Sequence, residues 1–158
     1  MKKLSHLDKE GKAQMVDITR KPLTQRVAVA RGSVVMKPGT IELILDKKIP
    51  KGDVFSVARI AGIMAAKKTG ELIPMCHPLE ITGIDIQFYP HPRKRTIDIE
   101  SRVSIVGRTG VEMEALTAVS IAALAIYDMC KAVDKEMVVA DIMLMEKRGG
   151  KSGTFKRK

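Results

Sequence analysis

A chain of 158 residues, 45% hydrophobic and 29% charged, is long enough to bury a core and too apolar to be disordered, so one domain is expected. Its formal net charge of +10 points to an anionic partner, while 3% aromatic residues and no tryptophan leave little from which to build a base-stacking platform. Membrane, secretory and disulfide-stapled classes are set aside: no apolar run approaches the roughly 20 residues of a membrane helix, no apolar core follows the basic start, and only Cys76 and Cys130 are present. A cytoplasmic home fits best.

Residues 1–24 are polar, contain Gly11 and Pro22 and lack periodicity, and read as a mobile arm ahead of a domain over residues 25–148. Val27, Val29 and Val34-Val35-Met36 belong to a β-branched strand that Pro38-Gly39 ends. Pro38 or Thr40 opens a short helix through Leu45. Asp53 N-caps a longer helix, on which Val57, Ile60, Ala61 and Met64 recur at the spacing of a core-facing stripe. Cations and a glycine stop it at Lys67-Lys68-Thr69-Gly70. After the loop Ile73-Pro74-Met75-Cys76-His77-Pro78, alternation at Ile84, Ile86 and Phe88 gives one strand. A turn at Pro90-His91-Pro92-Arg93-Lys94 leads to a second strand, with Ile97, Ile99, Ser101 and Val103 alternating. A long helix follows between Gly110 and Lys135, then a strand over Met137 to Met145, and residues 149–158 form a flexible Gly/Lys-rich tail. Strand, helices, strand, strand, helix, strand is the split βαβ plan, an α+β sandwich with an antiparallel sheet and helices on one face.

The long helix carries two stripes. Leu116, Val119, Ala123, Ile126, Cys130 and Val133 form one, and Glu114, Thr117, Ile121, Leu124, Asp128 and Lys131 the other. A helix apolar on both sides is buried on both sides. Asp128 and Lys131 would then sit partly desolvated, one turn apart, able to exchange protons near neutrality. The same spacing also fits an ordinary surface ion pair.

Elsewhere, prolines on either side stiffen the loop that carries His77. Adjacent Cys76 and His77 lack zinc-ligand spacing, and nothing identifies a base for a Cys76 nucleophile. Thr109-Gly110-Val111-Glu112 matches a capping box, with Thr109 as N-cap. Lys51 beside a helix start can serve an anion. Gly149-Gly150-Lys151-Ser152-Gly153 is not a P-loop: Met145 stands where the motif needs glycine, and no helix follows. Such a tail can still fold over phosphates.

Ile73-Pro74-Met75-Cys76-His77-Pro78, Gly110-Val111-Glu112-Met113-Glu114-Ala115-Leu116-Thr117, Ile126-Tyr127-Asp128-Met129-Cys130-Lys131-Ala132-Val133 and the tail glycine run resemble the cyclic pyranopterin monophosphate synthases of molybdenum cofactor biosynthesis. Met15-Val16-Asp17 and Lys51-Gly52-Asp53-Val54-Phe55 fit the same family. The resemblance implies a ferredoxin-like fold and an assembly of dimers into a hexamer. It implies a small-molecule substrate, 3′,8-cyclo-7,8-dihydroguanosine 5′-triphosphate, converted without a redox cofactor to a cyclic pyranopterin phosphate and diphosphate; whether Mg²⁺ accompanies the triphosphate stays open. Family roles fall on Asp128 and Lys131 as the acid–base pair. Met75, Cys76, His77, Met113 and Glu114 line the substrate site, and Lys51 and Lys147 face the triphosphate. Asp17 and Glu112 complete the substrate-binding set, with capping as the alternative role for Glu112. No nucleic acid or membrane partner is implied.

An RNA-binding ferredoxin-like module is the alternative from another class, but Phe88 and Tyr89 are neighbours in one strand and face opposite ways. A catalytically silent scaffold would leave Asp128 and Lys131 unexplained. Glu114 and Asp128 lie roughly 21 Å apart along one helix, which suggests a site shared by two subunits. In its most specific form, Lys51 of one chain meets Asp128 of its partner.

Overall fold

Inward-facing residues of one parity on each strand set the architecture. In the computed structural model, which describes residue 8 and residues 10–158, β1 (Thr24–Val35) turns Ala28, Ala30 and Val34 inward, all fully buried. It pairs antiparallel with β3 (Thr96–Gly107) on one side and β4 (Val138–Arg148) on the other. β3 buries Ile97, Ile99, Ser101, Val103 and Ile105, and also pairs with β2 (Gly83–His91). The order β2-β3-β1-β4-β5 gives the antiparallel sheet of the ferredoxin-like plan.

α1 (Pro38–Leu45) begins on its proline, as expected. Its entry is held by Asp134, 2% exposed, which accepts from the Lys37 amide at 2.9 Å and the Thr40 hydroxyl at 3.1 Å. Burial pushes that carboxyl up, but the bonds from Lys37, Glu136 and Thr40 win and hold it below its ordinary value.

α2 (Val54–Lys67) is capped by Asp53, which accepts from the Ser56 amide at 2.9 Å. Its packed face is not the expected one. Val57, Ile60 and Met64 are exposed, whereas Val54, Ala58, Gly62, Ala65 and Ala66 are buried. The reason is close approach to α4 (Glu112–Cys130): a Cβ at Gly62 would stand 2.9 Å from the Ala118 carbonyl. Small residues make the contact and large ones are left outside. Gly70 is no helix stop either. It lies within the short helix α3 (Thr69–Leu72), where the absent Cβ lets Pro78 pack close.

α4 is covered on the first stripe as far as Cys130, but Val133 lies beyond its end and is exposed. On the other side only Glu114 is buried; Leu124, Asp128 and Lys131 are exposed. Within one chain, therefore, the helix is buried along one side and not both. Ala118 and Ala122, rather than Ile121 and Leu124, face α2. Among the described residues this 19-residue helix alone is long and apolar enough to cross a membrane, yet half of that apolar stretch is buried in the fold. The capping box also fails. The helix begins at Glu112 after Val111 with no side-chain cap, so Thr109 sits too far ahead to act as one.

The tail is not a loose extension. After the Gly149–Gly153 turn, β5 (Phe155–Lys156) pairs with β4, and Arg157 donates from its amide to the Met145 carbonyl at 2.8 Å. The unpaired edge of β4 offers those groups, and the glycines permit the reversal. The arm is likewise fastened where described. The Arg108 guanidinium donates to the carbonyls of Thr19 and of Lys21, the latter at 2.8 Å. Residues 1–7 and 9, also assigned to the mobile arm, lie outside the described residues.

Candidate active site

The fold gathers the predicted residues into separate clusters. The first is a cleft of about 480 Å³ at the start of α4. The 74–78 loop brings Met75, Cys76 and His77 to it, the first turn of α4 brings Glu112, Met113 and Glu114, and the arm closes it with Val16, Ile18 and Lys21. His77 Nε2 lies 2.8 Å from the Val16 carbonyl. A carbonyl only accepts, so Nε2 carries the hydrogen, and in the neutral ring Nδ1 is the acceptor. Asp17 sits beside it: bonds from the Thr19 hydroxyl and amide, then the nearby His77, hold its carboxyl below the usual range.

Glu114 is 3% exposed on this wall. Desolvation, reinforced by Glu112, pushes its carboxyl up. Desolvation and then the Glu114 charge push the Cys76 thiol up as well. A raised thiol pKa disfavours the thiolate, which argues for contact rather than nucleophilic attack by Cys76. The cleft thus combines apolar lining with a few fixed polar groups, the make-up of a small-molecule site.

The second cluster lies at the other end of α4. Asp128 is gripped between two lysines, with Lys131 Nζ at 2.7 Å from Oδ1 and Lys51 Nζ at 2.9 Å from Oδ2. Lys51 also donates to the Asp128 carbonyl at 2.9 Å. Both members of the expected pair are about half exposed, at 57% and 51% of the side chain. Hydrogen bonds from Lys131 and Lys51, followed by their charges, pull the Asp128 carboxyl down to about 2, and the same contact raises Lys131. The expected desolvation is small in the chain as it stands, and the two cations outweigh it. The expectation that Lys51 meets Asp128 of a partner is overturned too, since both stand in one chain.

Lys147 joins neither cluster. Its ammonium reaches the Ser152 hydroxyl and, at 3.5 Å, the Gly149 carbonyl inside the tail turn.

A sequence model of the MoaC family matches residues 15–150, which include every residue of the cleft and of the Lys51–Asp128–Lys131 cluster. The chain belongs to the MoaC family. It is 64% identical over its whole length to the cyclic pyranopterin monophosphate synthase of Pelotomaculum thermopropionicum, covering 93% of that protein. The synthases of Chloroflexus aurantiacus and Desulfitobacterium hafniense are 60% and 61% identical to it, each over 98% of this chain and 94% of theirs. β5 lies past the matched span of the MoaC family.

Sequence reasoning missed Lys21, Val16 and Ile18 as lining, because an arm without periodicity gives no sign of where it docks.

The Asp128 carboxyl is expected to titrate near 2 when followed by carboxyl-carbon NMR. Its native value lies below its unfolded one, so the two ion pairs are complete above about 4 and are lost as pH falls through the native value. An observed value at or above about 4 would show that the lysines do not hold it.

Proposed function

We propose that this chain converts 3′,8-cyclo-7,8-dihydroguanosine 5′-triphosphate into cyclic pyranopterin monophosphate, releasing diphosphate, as a lyase of molybdenum cofactor biosynthesis. The observation that carries this reading is the division of family-matching residues into an apolar, carboxylate-floored cleft and a Lys–Asp–Lys cluster. One suits a guanine-derived ring, the other an anionic chain and proton transfer.

In that reading Met75, Met113 and the Glu114 wall hold the base, and His77 Nδ1 faces the reacting sugar as acceptor. Asp128 has a specific part. While both lysines hold it, it is too weak a base to take a proton. Phosphate oxygens compete for Lys51, and once Lys51 turns to them one of the two interactions lowering the carboxyl is gone. Substrate thereby raises the basicity of Asp128, and Lys131 beside it can supply the proton in the return step. Attack of a substrate hydroxyl on the α-phosphorus then closes the cyclic phosphate and expels diphosphate, with no oxidant or reductant required.

Because the cleft and the cluster sit at opposite ends of α4, roughly 21 Å apart at the helical rise, the reading also requires assembly. A homo-oligomer of antiparallel dimers, built up to a hexamer in the cytoplasm, would bring one chain's cleft beside its partner's cluster. Exposed Val57, Ile60, Met64 and Leu124 on the two long helices supply apolar surface for it. The RNA-binding alternative loses ground: Phe88 packs inward on Phe55, ring centroids 5.0 Å apart, and leaves Tyr89 without a stacking neighbour from that strand.

Incubation of the purified protein with the cyclised nucleotide should release diphosphate in proportion to pterin product formed. Binding of the nucleotide without diphosphate release would overturn the reading.

A further inference from the structure

The free amides at the start of a helix are ordinarily capped by a Ser, Thr, Asn or Asp beside them in the chain. At that position α1 has Lys37, whose side chain makes no cap. The cap comes instead from Asp134, 97 positions away, with Oδ2 at 2.9 Å from the Lys37 amide and 3.1 Å from the Thr40 hydroxyl. Oδ1 accepts from the Glu136 amide at 3.1 Å and faces the Lys37 ammonium at 3.9 Å. The side chain is wholly buried. A buried carboxylate is costly, and a local serine or threonine would have capped α1 without one. What a distant cap adds is a tie between two elements.

Both ends of that tie lead to the Lys51–Asp128–Lys131 cluster. Asp134 belongs to the turn that finishes α4, where the amides of Lys131 and Asp134 bond back to the carbonyls of Tyr127 and Cys130. Asp128 and Lys131 stand on that same end of the helix. For its part, α1 buries Ile41 and Ile44 and runs into the loop that joins it to α2. There the Lys48 amide bonds back to Leu43 and the Gly52 amide to Ile49, which is itself buried. Lys51 sits on this second turn and reaches both the carboxylate and the main-chain carbonyl of Asp128 at 2.9 Å. Cys130 feels both sides: burial and then the Asp134 charge push its thiol up to about 11, while Lys51 pulls the other way. Tie and cluster therefore lie side by side.

We propose that Asp134 is a positioning residue: by capping α1 from the end of α4, it fixes the loop that carries Lys51 and so sets the contact of Lys51 with Asp128. Its weight in turnover rests on the reading above, but its effect on the contact does not. Lys51 is a long, half-exposed side chain, and holding such a chain in one geometry costs entropy that a shifting base would add to. With α1 locked to the end of α4, the base of Lys51 stays in place.

The test is carboxyl-carbon NMR on the full-length protein in its native assembly, following Asp128, which the two lysines pull down to about 2. Asp134→Asn removes a negative charge and leaves one acceptor oxygen where there were two. Loss of a nearby negative charge, by itself, lowers Asp128; loss of Lys51 raises it. A rise by about one pH unit is expected, a tenfold change in proton affinity. Thr40→Val breaks one bond and changes no charge. It should raise Asp128 by less, and it decides the matter if Asp134→Asn does not fold. In Lys51→Ala protein, where the contact is already gone, Asp134→Asn should leave Asp128 in place or slightly lower. A merely structural role would show no such dependence on Lys51. Turnover of Asp134→Asn should fall in step, by about tenfold, with the circular dichroism spectrum retained. An unmoved or lowered Asp128 in the folded variants, or an equal rise with and without Lys51, overturns the proposal. A raised Asp128 with turnover intact would leave the positioning standing and take the cluster out of the proposed reaction. Turnover lost with Asp128 unmoved would overturn the positioning and leave that reaction standing.

Discussion

Replacing Asp128 by Asn lowers turnover by about a hundredfold or more and leaves the fold in place, the loss expected when a general acid or base is removed. The side chain is near-isosteric and more than half exposed, so nothing in the core depends on its charge. What is lost is the carboxylate that Lys51 and Lys131 hold at 2.9 and 2.7 Å. Lys131→Ala should cost about as much, and the double variant little more than either single one, because groups that work as one unit do not add. The two variants should differ in one respect. Without Lys131, Asp128 keeps only Lys51, its carboxyl rises toward the ordinary range, and the acid limb of the pH–rate profile moves up with it. Asn at 128 cannot titrate, so a limb belonging to Asp128 disappears. Near-normal turnover in both singles, with circular dichroism unchanged, would remove the pair from the chemistry.

The fold was legible wherever strand alternation was regular. Ile97, Ile99, Ser101 and Val103 fall on one buried face as read, and the order strand, helices, strand, strand, helix, strand holds as far as β4, with α3 and β5 unread. Helix faces were harder. On α2 the conspicuous residues Val57, Ile60 and Met64 point outward, because the contact with α4 is too close for them and is made by Gly62 and alanines. Hydrophobicity marks large side chains; close packing selects small ones. On α4 the second stripe is open in the single chain, where Leu124 and Asp128 are exposed and Ala118 and Ala122 make the contact with α2. Of the candidate site, the residue identities were legible but their grouping was not. Spacing within one helix places Asp128 next to Lys131, yet only the folded chain brings in Lys51, 77 positions away.

The grouping turns the two-subunit site into a sharper experiment. Lys51→Ala and Asp128→Asn strike the same cluster in the same chain, so mixing the two inactive proteins after dissociation and reassembly should recover nothing: every cluster in the mixture lacks one member. His77→Ala and Asp128→Asn strike opposite ends of α4. If the cleft of one chain is completed by the cluster of its partner, a mixed pair holds one site with both damaged parts and one with neither. Random reassembly of equal amounts should then return about a quarter of wild-type activity, since half the pairs are mixed and each has one sound site of two. Mass spectrometry of the reassembled oligomer confirms that mixing occurred. Recovery in the second mixture and not the first is the expected pattern. No recovery from His77→Ala with Asp128→Asn, in verified mixed oligomers, would mean that one chain must somehow bridge the length of α4 by itself, and the shared site would be wrong. Recovery from Lys51→Ala with Asp128→Asn would mean that the contact at 2.9 Å within the chain is not the one that operates in the assembly.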